Sequence, residues 1–174
     1  MNISSEDPEV FKTVYEQVFP RILRVSYNIT LDADIAEDIC QEAFIKFYHH
    51  SAPFPSIDQA TYWLIRVVKN LSLNYFKRKK RERKAMESYF HQPRPLPKSG
   101  EEEILRSETS HIVQQAVSKL PDSLKSVIVL KEFGNLNYRE IAQVLQITEN
   151  NVKVRVHRAR TQLEKCIEEE DVYV

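Results

Sequence analysis

Apolar residues recur at intervals of three and four along most of this chain, a period that predicts a succession of amphipathic helices. From Pro8 to Tyr27 the period is kept by Val10, Phe11, Val14, Tyr15, Val18, Ile22, Leu23 and Val25, with Asp7 as the cap and Pro20 marking a kink or break. A second helix spans about Leu31 to His49, with Ile35, Ile39, Ala43, Phe44 and Phe47 facing inward. His49 to Gln59 loses the period at Pro53 and Pro55 and reads as a loop. A third helix, Thr61 to about Arg83, begins with Trp63, Leu64, Val67, Val68 and Leu71, continues through Leu73 and Phe76, and ends in cations. After Met86 the segment His91 to Gly100 alternates prolines with polar residues and reads as a flexible linker. Another helical face runs from Ile104 to Leu120, with Ser99 as its cap and Glu101 to Glu103 at its start. Pro121 opens one more helix, which Gly134 and Asn135 end.

The stretch Asn137 to Leu163 holds two short helical patterns around a tight turn. Ile141, Ala142 and Leu145 line the first, and Val152, Val156 and Ala159 line the second. Thr148 sits between them, and its hydroxyl can accept the Asn151 N–H, starting a new helix in another direction. Ala142 is small enough to let the helices approach, so the stretch is a helix-turn-helix. Off its apolar stripe the second helix carries Asn151, Lys153, Arg155, His157, Arg158 and Arg160, a mixture suited to base edges and flanking phosphates. Gln146 occupies the turn position where glycine is usual; either it bears the roughly 1–2 kcal/mol that a side chain costs in the left-handed conformation, or the turn differs slightly.

Composition narrows the fold class. A chain of 174 residues, 42% hydrophobic and with two glycines, can bury a core but has little room for hairpin turns or phosphate-cradling loops, which makes it all-α. Net charge is zero but unevenly spread. Acids gather at Asp32 to Glu42, Glu101 to Glu103 and Glu168 to Asp171; cations gather at Lys77 to Lys84 and Lys153 to Arg160. Separate surfaces for separate partners follow. Cys40 and Cys166 fit no metal or redox spacing and suit a reducing compartment, although spacing alone leaves their pairing open. The N-terminus has no apolar signal core, and no run nears the roughly 20 apolar residues of a membrane span, so the expectation is a cytoplasmic protein without membrane insertion.

Three surfaces admit two readings each. The acidic face Asp34, Glu37, Asp38, Gln41, Glu42 either complements its helix dipole or docks a basic partner. His50, Phe54, Tyr62 and Trp63 either complete a core or hold a base unstacked from DNA; His49 and His50 lack the accompanying acids of a metal site. Arg66, Lys69, Asn70, Asn74 and Lys77 form a polar ridge on the third helix that can follow a nucleic-acid backbone, while Lys79 to Lys84 are either its continuation or a solvated helix end. A nuclease using Asp34 to Glu42 is disfavoured, because those carboxylates have no metal-binding partners.

Taken together, AEDICQEAFIKFY (Ala36 to Tyr48), WLIRVVKNLSLNYFKRK (Trp63 to Lys79) and the stretch Leu120 to Leu163 resemble a bacterial sigma factor of the extracytoplasmic-function class, over almost the whole chain. The resemblance implies two small helical domains joined by a flexible linker: residues 1–85, the linker 86–103, and residues 104–174 ending in the helix-turn-helix. It implies that Asp38, Gln41 and Glu42 dock on core RNA polymerase. His50, Phe54, Arg66, Asn70, Asn74 and Lys77 would recognise and melt the promoter −10 element. Lys131, Tyr138, Asn151, Lys153, Val154, Arg155, His157, Arg158 and Arg160 would read the −35 element. Val154 stands where a small polar residue is common, and His157 where the family varies.

Such a protein catalyses no bond chemistry and needs no cofactor, metal or small-molecule substrate. Its partners are core polymerase, promoter DNA and commonly an anti-sigma factor. Two tethered DNA readers gain avidity only when a third body holds them at the right separation. The linker also permits a compact inactive state with both DNA surfaces covered. The competing reading is a stand-alone helix-turn-helix regulator that binds duplex DNA without polymerase.

Overall fold

The computed structural model describes residues 2–87 and 108–171. The predicted linker His91 to Gly100, and the helix start at Ser99 to Leu105, lie outside them. Among the described residues there are seven α-helices and no strand, with one isolated antiparallel bridge between Ile3 and Phe54. α1 (Pro8–Thr30) starts where Asp7 accepts the N–H groups of Glu9 and Val10. It runs unbroken through Pro20, which is exposed, so of the expected kink or break no break occurs there. α1 ends on Leu31 in the left-handed conformation, φ 58°. The chain then reverses at once, because Asp32 caps α2 (Ala33–Tyr48) by accepting from Ile35 N at 3.1 Å.

α3 (Ile57–Glu87) begins under a Ser56 hydroxyl that accepts from Gln59 N, and it extends past the predicted end at Arg83. Val14, Val18, Ile22, Val25 and Ile29 from α1 meet Phe44 and Phe47 from α2 and Leu64, Ile65 and Val68 from α3 in one apolar core. A hydrogen bond of 2.8 Å between the Ser26 and Ser72 hydroxyls satisfies both in the α1–α3 contact.

The second set comprises α4 (Glu108–Lys119), α5 (Asp122–Ile128), α6 (Tyr138–Leu145) and α7 (Glu149–Asp171). α5 widens at its end into a π-helical turn, Val129–Phe133, closed by Gly134 N donating to Val129 O. Gly134 itself has an ordinary negative φ; the left-handed residue of this turn is Asn135, φ 52°. Glycine is required for space instead. A Cβ at Gly134 would lie 2.8 Å from Leu130 O and 3.2 Å from the Val25 side chain of α1.

That approach is part of a contact between the two sets of helices, whose buried residues form one contiguous cluster. Arg24 donates from Nε to Phe133 O at 3.2 Å, and Gln114 donates to Asn28 Oδ1 at 3.3 Å. Both cysteines are free; Cys40 is fully buried and Cys166 partly so. Burial, with Glu37 nearby, pushes the Cys40 thiol up to about 12, so almost no thiolate forms near neutral pH. In native protein at pH 8 a thiol reagent should therefore modify Cys166 alone, with Cys40 reacting only after denaturation; peptide mapping of the labelled protein checks this.

Candidate nucleic-acid interface

The helix-turn-helix is α6, its turn, and α7. A reciprocal capping box starts α6: Glu140 N donates to Asn137 Oδ1 at 2.9 Å, and Asn137 N donates to Glu140 Oε2 at 2.7 Å. Gln146 ends it in the left-handed region, φ 56°, as the missing glycine implied. Thr148 Oγ1 then accepts from Asn151 N at 3.2 Å and α7 departs in its new direction. Val152, Val156 and Ala159 are buried against the rest of the domain, as are Ile141 and Val144 of α6, while Ala142 and Leu145 are half-buried.

The opposite side of α7 presents Asn151, Lys153, Val154, His157, Arg158 and Arg160 to solvent, with Arg155 half-buried. Several of these already have partners within the domain. Arg155 donates to Asn151 Oδ1, Lys153 lies 3.4 Å from Glu149, and Arg160 reaches Glu132 Oε1 at 2.9 Å. Lys131 places its ammonium 5.6 Å from the Tyr138 ring centre. The exposed centre of the row is Val154, His157 and Arg158. An apolar residue at its middle offers a methyl surface rather than a hydrogen bond.

The residues expected at the −10 element fall into three environments. Phe54 is buried, its ring 4.5 Å from that of His50 and 5.8 Å from that of Trp63. The expectation that Phe54 meets a base is corrected by this packing: the ring serves the core because Phe47 and Trp63 already cover it. His50 remains half-exposed beside the exposed tip 51–53. Asn70 and Asn74 are exposed on α3.

Arg66 and Lys77 face the second set of helices. Arg66 donates from Nε to Val144 O at 2.7 Å and from Nη2 to Gln143 O at 2.8 Å. These carbonyls belong to the last turn of α6, where no intrahelical partner exists and the helix dipole attracts a cation. At the other end of the ridge Lys77 pairs with Asp122 at 2.6 Å, and Lys125 lays its ammonium 3.9 Å from the Phe76 ring centre. The α3 ridge is thus gripped at both ends while the outer row of α7 stays open. The closed arrangement engages Arg66 and Lys77 of the ridge, leaves Asn70 and Asn74 exposed, and does not cover the outer row of α7.

On α2, Asp38, Gln41 and Glu42 are exposed in one stripe. It continues into Ile45 and Tyr48, which are 60% and 48% exposed. The sequence reading missed these two, although Ile45 stands off the buried face and so carried a signal. Of the basic run, Lys79 reaches back to Asp32 at 3.7 Å and Arg78 approaches Glu82 at 3.8 Å. Among the described residues no group of three or more His, Cys, Asp or Glu is placed to hold a metal ion. Among them, too, no helix is long and apolar enough to cross a membrane.

Residues 14–82 match the family model of Sigma-70 region 2, and residues 110–163 match that of Sigma-70, region 4. The ECF RNA polymerase sigma factor SigW of Bacillus subtilis is 31% identical, over 94% of this chain and 91% of its own length. This chain belongs to the extracytoplasmic-function sigma factors. The RNA polymerase sigma-H factor of Pseudomonas aeruginosa is 30% identical, over 93% of this sigma factor and 88% of its own length. Among solved structures the sigma factor RpoE from Bartonella quintana, in complex with the anti-sigma factor NepR, superposes with a TM-score of 0.65 at 20% identity. That match covers 91% of this chain and 96% of the other, and shows a shared fold of two helical domains. As an alternative sigma factor the protein directs transcription; sigma factors are transcription initiation factors.

Replacing Gln146 by glycine should relieve roughly 1 kcal/mol of left-handed strain in this sigma factor. Thermal denaturation should then show the midpoint raised by about 2–4 °C. Lys125 gives a second expectation. Burial lowers its pKa from 10.5 to about 8, against the opposing pull of Asp122. Below pH 8 folded and unfolded chains both hold the proton and the burial penalty is complete. Between pH 8 and 10.5 the folded chain releases it first, so the Lys125 contribution to stability should rise with pH across that window, while above about pH 9 the buried Cys40 thiol contributes the opposite slope. Lys125→Met should remove this contribution, so the stability difference between parent and variant should change with pH between 8 and 10.5 in denaturant titrations.

Proposed function

We propose that the α2 stripe Asp38, Gln41 and Glu42, extended by Ile45 and Tyr48, docks this sigma factor on a basic surface of core RNA polymerase. The mixture of carboxylates with exposed apolar side chains fits a protein partner better than a dipole effect alone, because Ile45 and Tyr48 gain nothing from a helix dipole. Residues 1–87, two beyond the expected boundary because α3 runs to Glu87, act as the docking and −10 module and residues 104–174 as the −35 module, joined by 88–103. The outer row of α7, with Lys131 and Tyr138 at its entry, reads the −35 duplex.

The −10 strand is received by the His50 loop and by Asn70 and Asn74, then by Arg66 and Lys77 once they leave α6 and Asp122. The observation that carries this reading is the unequal state of the two readers, α7 open and the α3 ridge gripped. A factor so arranged must open before it can use both, and docking on polymerase supplies the body that holds them apart. An anti-sigma factor that binds the closed form would keep the ridge out of reach. The protein works beside polymerase in the cytoplasm and catalyses no bond chemistry itself.

Binding to purified bacterial core RNA polymerase, followed by transcription from a library of promoter fragments, tests the assignment. Tight association with sequence-selective initiation is the expected result. Asp38→Ala should weaken association with core without changing duplex binding by the isolated protein. Arg158→Ala should cost about 1–3 kcal/mol in −35 recognition and leave core affinity unchanged. If the isolated protein instead binds duplex DNA tightly and ignores core, it is a stand-alone regulator.

A further inference from the structure

Residues 3–5 precede every helix of the described residues, and both ends of the loop between α2 and α3 are tied to them, with the Ser5 hydroxyl also 3.5 Å from Tyr48 O at the end of α2. Ile3 N donates to Phe54 O at 2.8 Å, and Phe54 N donates to Ile3 O at 2.9 Å. Ser5 is 1% exposed, and its hydroxyl lies 3.0 Å from His50 O, to which it donates. One short segment therefore holds His50 at the loop's entry and Phe54 near its exit.

Within the loop the His50 ring stacks on Phe54 and meets the Trp63 ring edge-on at 5.0 Å. His50 Nδ1 lies 2.8 Å from Ala52 O. A carbonyl only accepts, so Nδ1 carries a proton and donates to Ala52 O. The strap thus fixes the backbone at His50 and Phe54, and the Ala52 carbonyl within the loop orients the His50 ring. Ordering a free loop costs about 1–2 kcal/mol per residue, and a loop already held meets that cost before DNA arrives.

We propose that residues 3–5 are a strap that preorganises the His50 loop for an unstacked promoter base, which makes Ile3 and Ser5 positioning residues for −10 recognition. This rests on the −10 assignment of that loop. Ile3 packs on the edge of the core and Ser5 is buried, so the variants below remove single hydrogen bonds and are read beside the thermal midpoint.

The test uses full-length protein reconstituted with bacterial core RNA polymerase on a promoter selected by that holoenzyme. Ile3→Pro removes the donor to Phe54, Ser5→Ala removes the hydroxyl, and Ile3→Val keeps both backbone bonds. His50→Ala reports on the loop itself. Permanganate reactivity of −10 thymines measures opening; core affinity, −35 duplex binding and the thermal midpoint are measured alongside. Ile3→Pro and Ser5→Ala should each reduce opening roughly five- to tenfold with those three quantities unchanged, and Ile3→Val should open like the parent. Parental opening by both strap variants beside a defective His50→Ala overturns the strap alone. Parental opening by His50→Ala as well removes the −10 assignment of the loop, and the strap with it. A loss of core affinity or thermal midpoint parallel to the loss of opening assigns Ile3 and Ser5 to the fold and rejects the positioning role.

Discussion

Every helix end leaves peptide groups without an intrahelical partner, and in a chain with two glycines side chains must meet most of them. Asp7, Asp32, Asn137 and Thr148 do so at N-termini, each within a few residues of the group it serves. The C-terminus of α6 is different. Ala142 O receives Ile147 N, but Gln143 O and Val144 O are met by Arg66, which comes from α3. The guanidinium that satisfies this helix end is also a member of the polar ridge. A local bonding requirement thereby becomes a link between the two halves of the sigma factor, and the arrangement of the α3 ridge relative to the outer row of α7 follows from that link.

The link is built from interactions that solvent and anions can replace. Arg66 makes two charge-assisted bonds, each of the kind that contributes about 1.5–3 kcal/mol. Lys77 and Asp122 are too exposed for their pair to add more than about 0–1 kcal/mol. Lys125 contributes its stem and its contact with Phe76 but bears the cost of a buried ammonium. Gly134 against Val25 supplies close packing without a large side chain. A contact of this make-up can be ordered in the free protein and still yield to a partner, since phosphates offer Arg66 and Lys77 alternatives of equal or greater charge.

Much of the fold was legible in the order of residues. The inward faces of α1, α2 and α3 follow the three-and-four spacing of Val14, Val18, Ile22, Phe44, Phe47, Leu64 and Val68, because one side of a helix must bury to be stable. The cap at Thr148 and the left-handed Gln146 were legible for a local reason: they depend on neighbours a few residues away. Pro20 misled, since the exposed side of a long helix tolerates a missing N–H that its packing elsewhere outweighs. At Gly134 the residue was noticed for the wrong property. Its φ is ordinary, and its small size matters because Val25, more than 100 residues earlier in the chain, passes beside it.

For the candidate site, residue chemistry determined the inventory: acids on α2, amides and cations on α3, a polar and basic row on α7. Sequence alone also determined where the helices turn and which family the motifs resemble, since helical period, caps and motif order act over short distances. Tertiary structure decided which of those side chains were free. Phe54 was an aromatic in a loop until Phe47 and Trp63 enclosed it, and Arg66 was one cation among several until α6 brought its last carbonyls within 2.7–2.8 Å. Residues 3–5 carried no signal of their own, because a backbone bond to Phe54 depends on where distant chain passes and not on side-chain identity. Availability is set by packing between segments remote in sequence, which is why it emerged only from the fold.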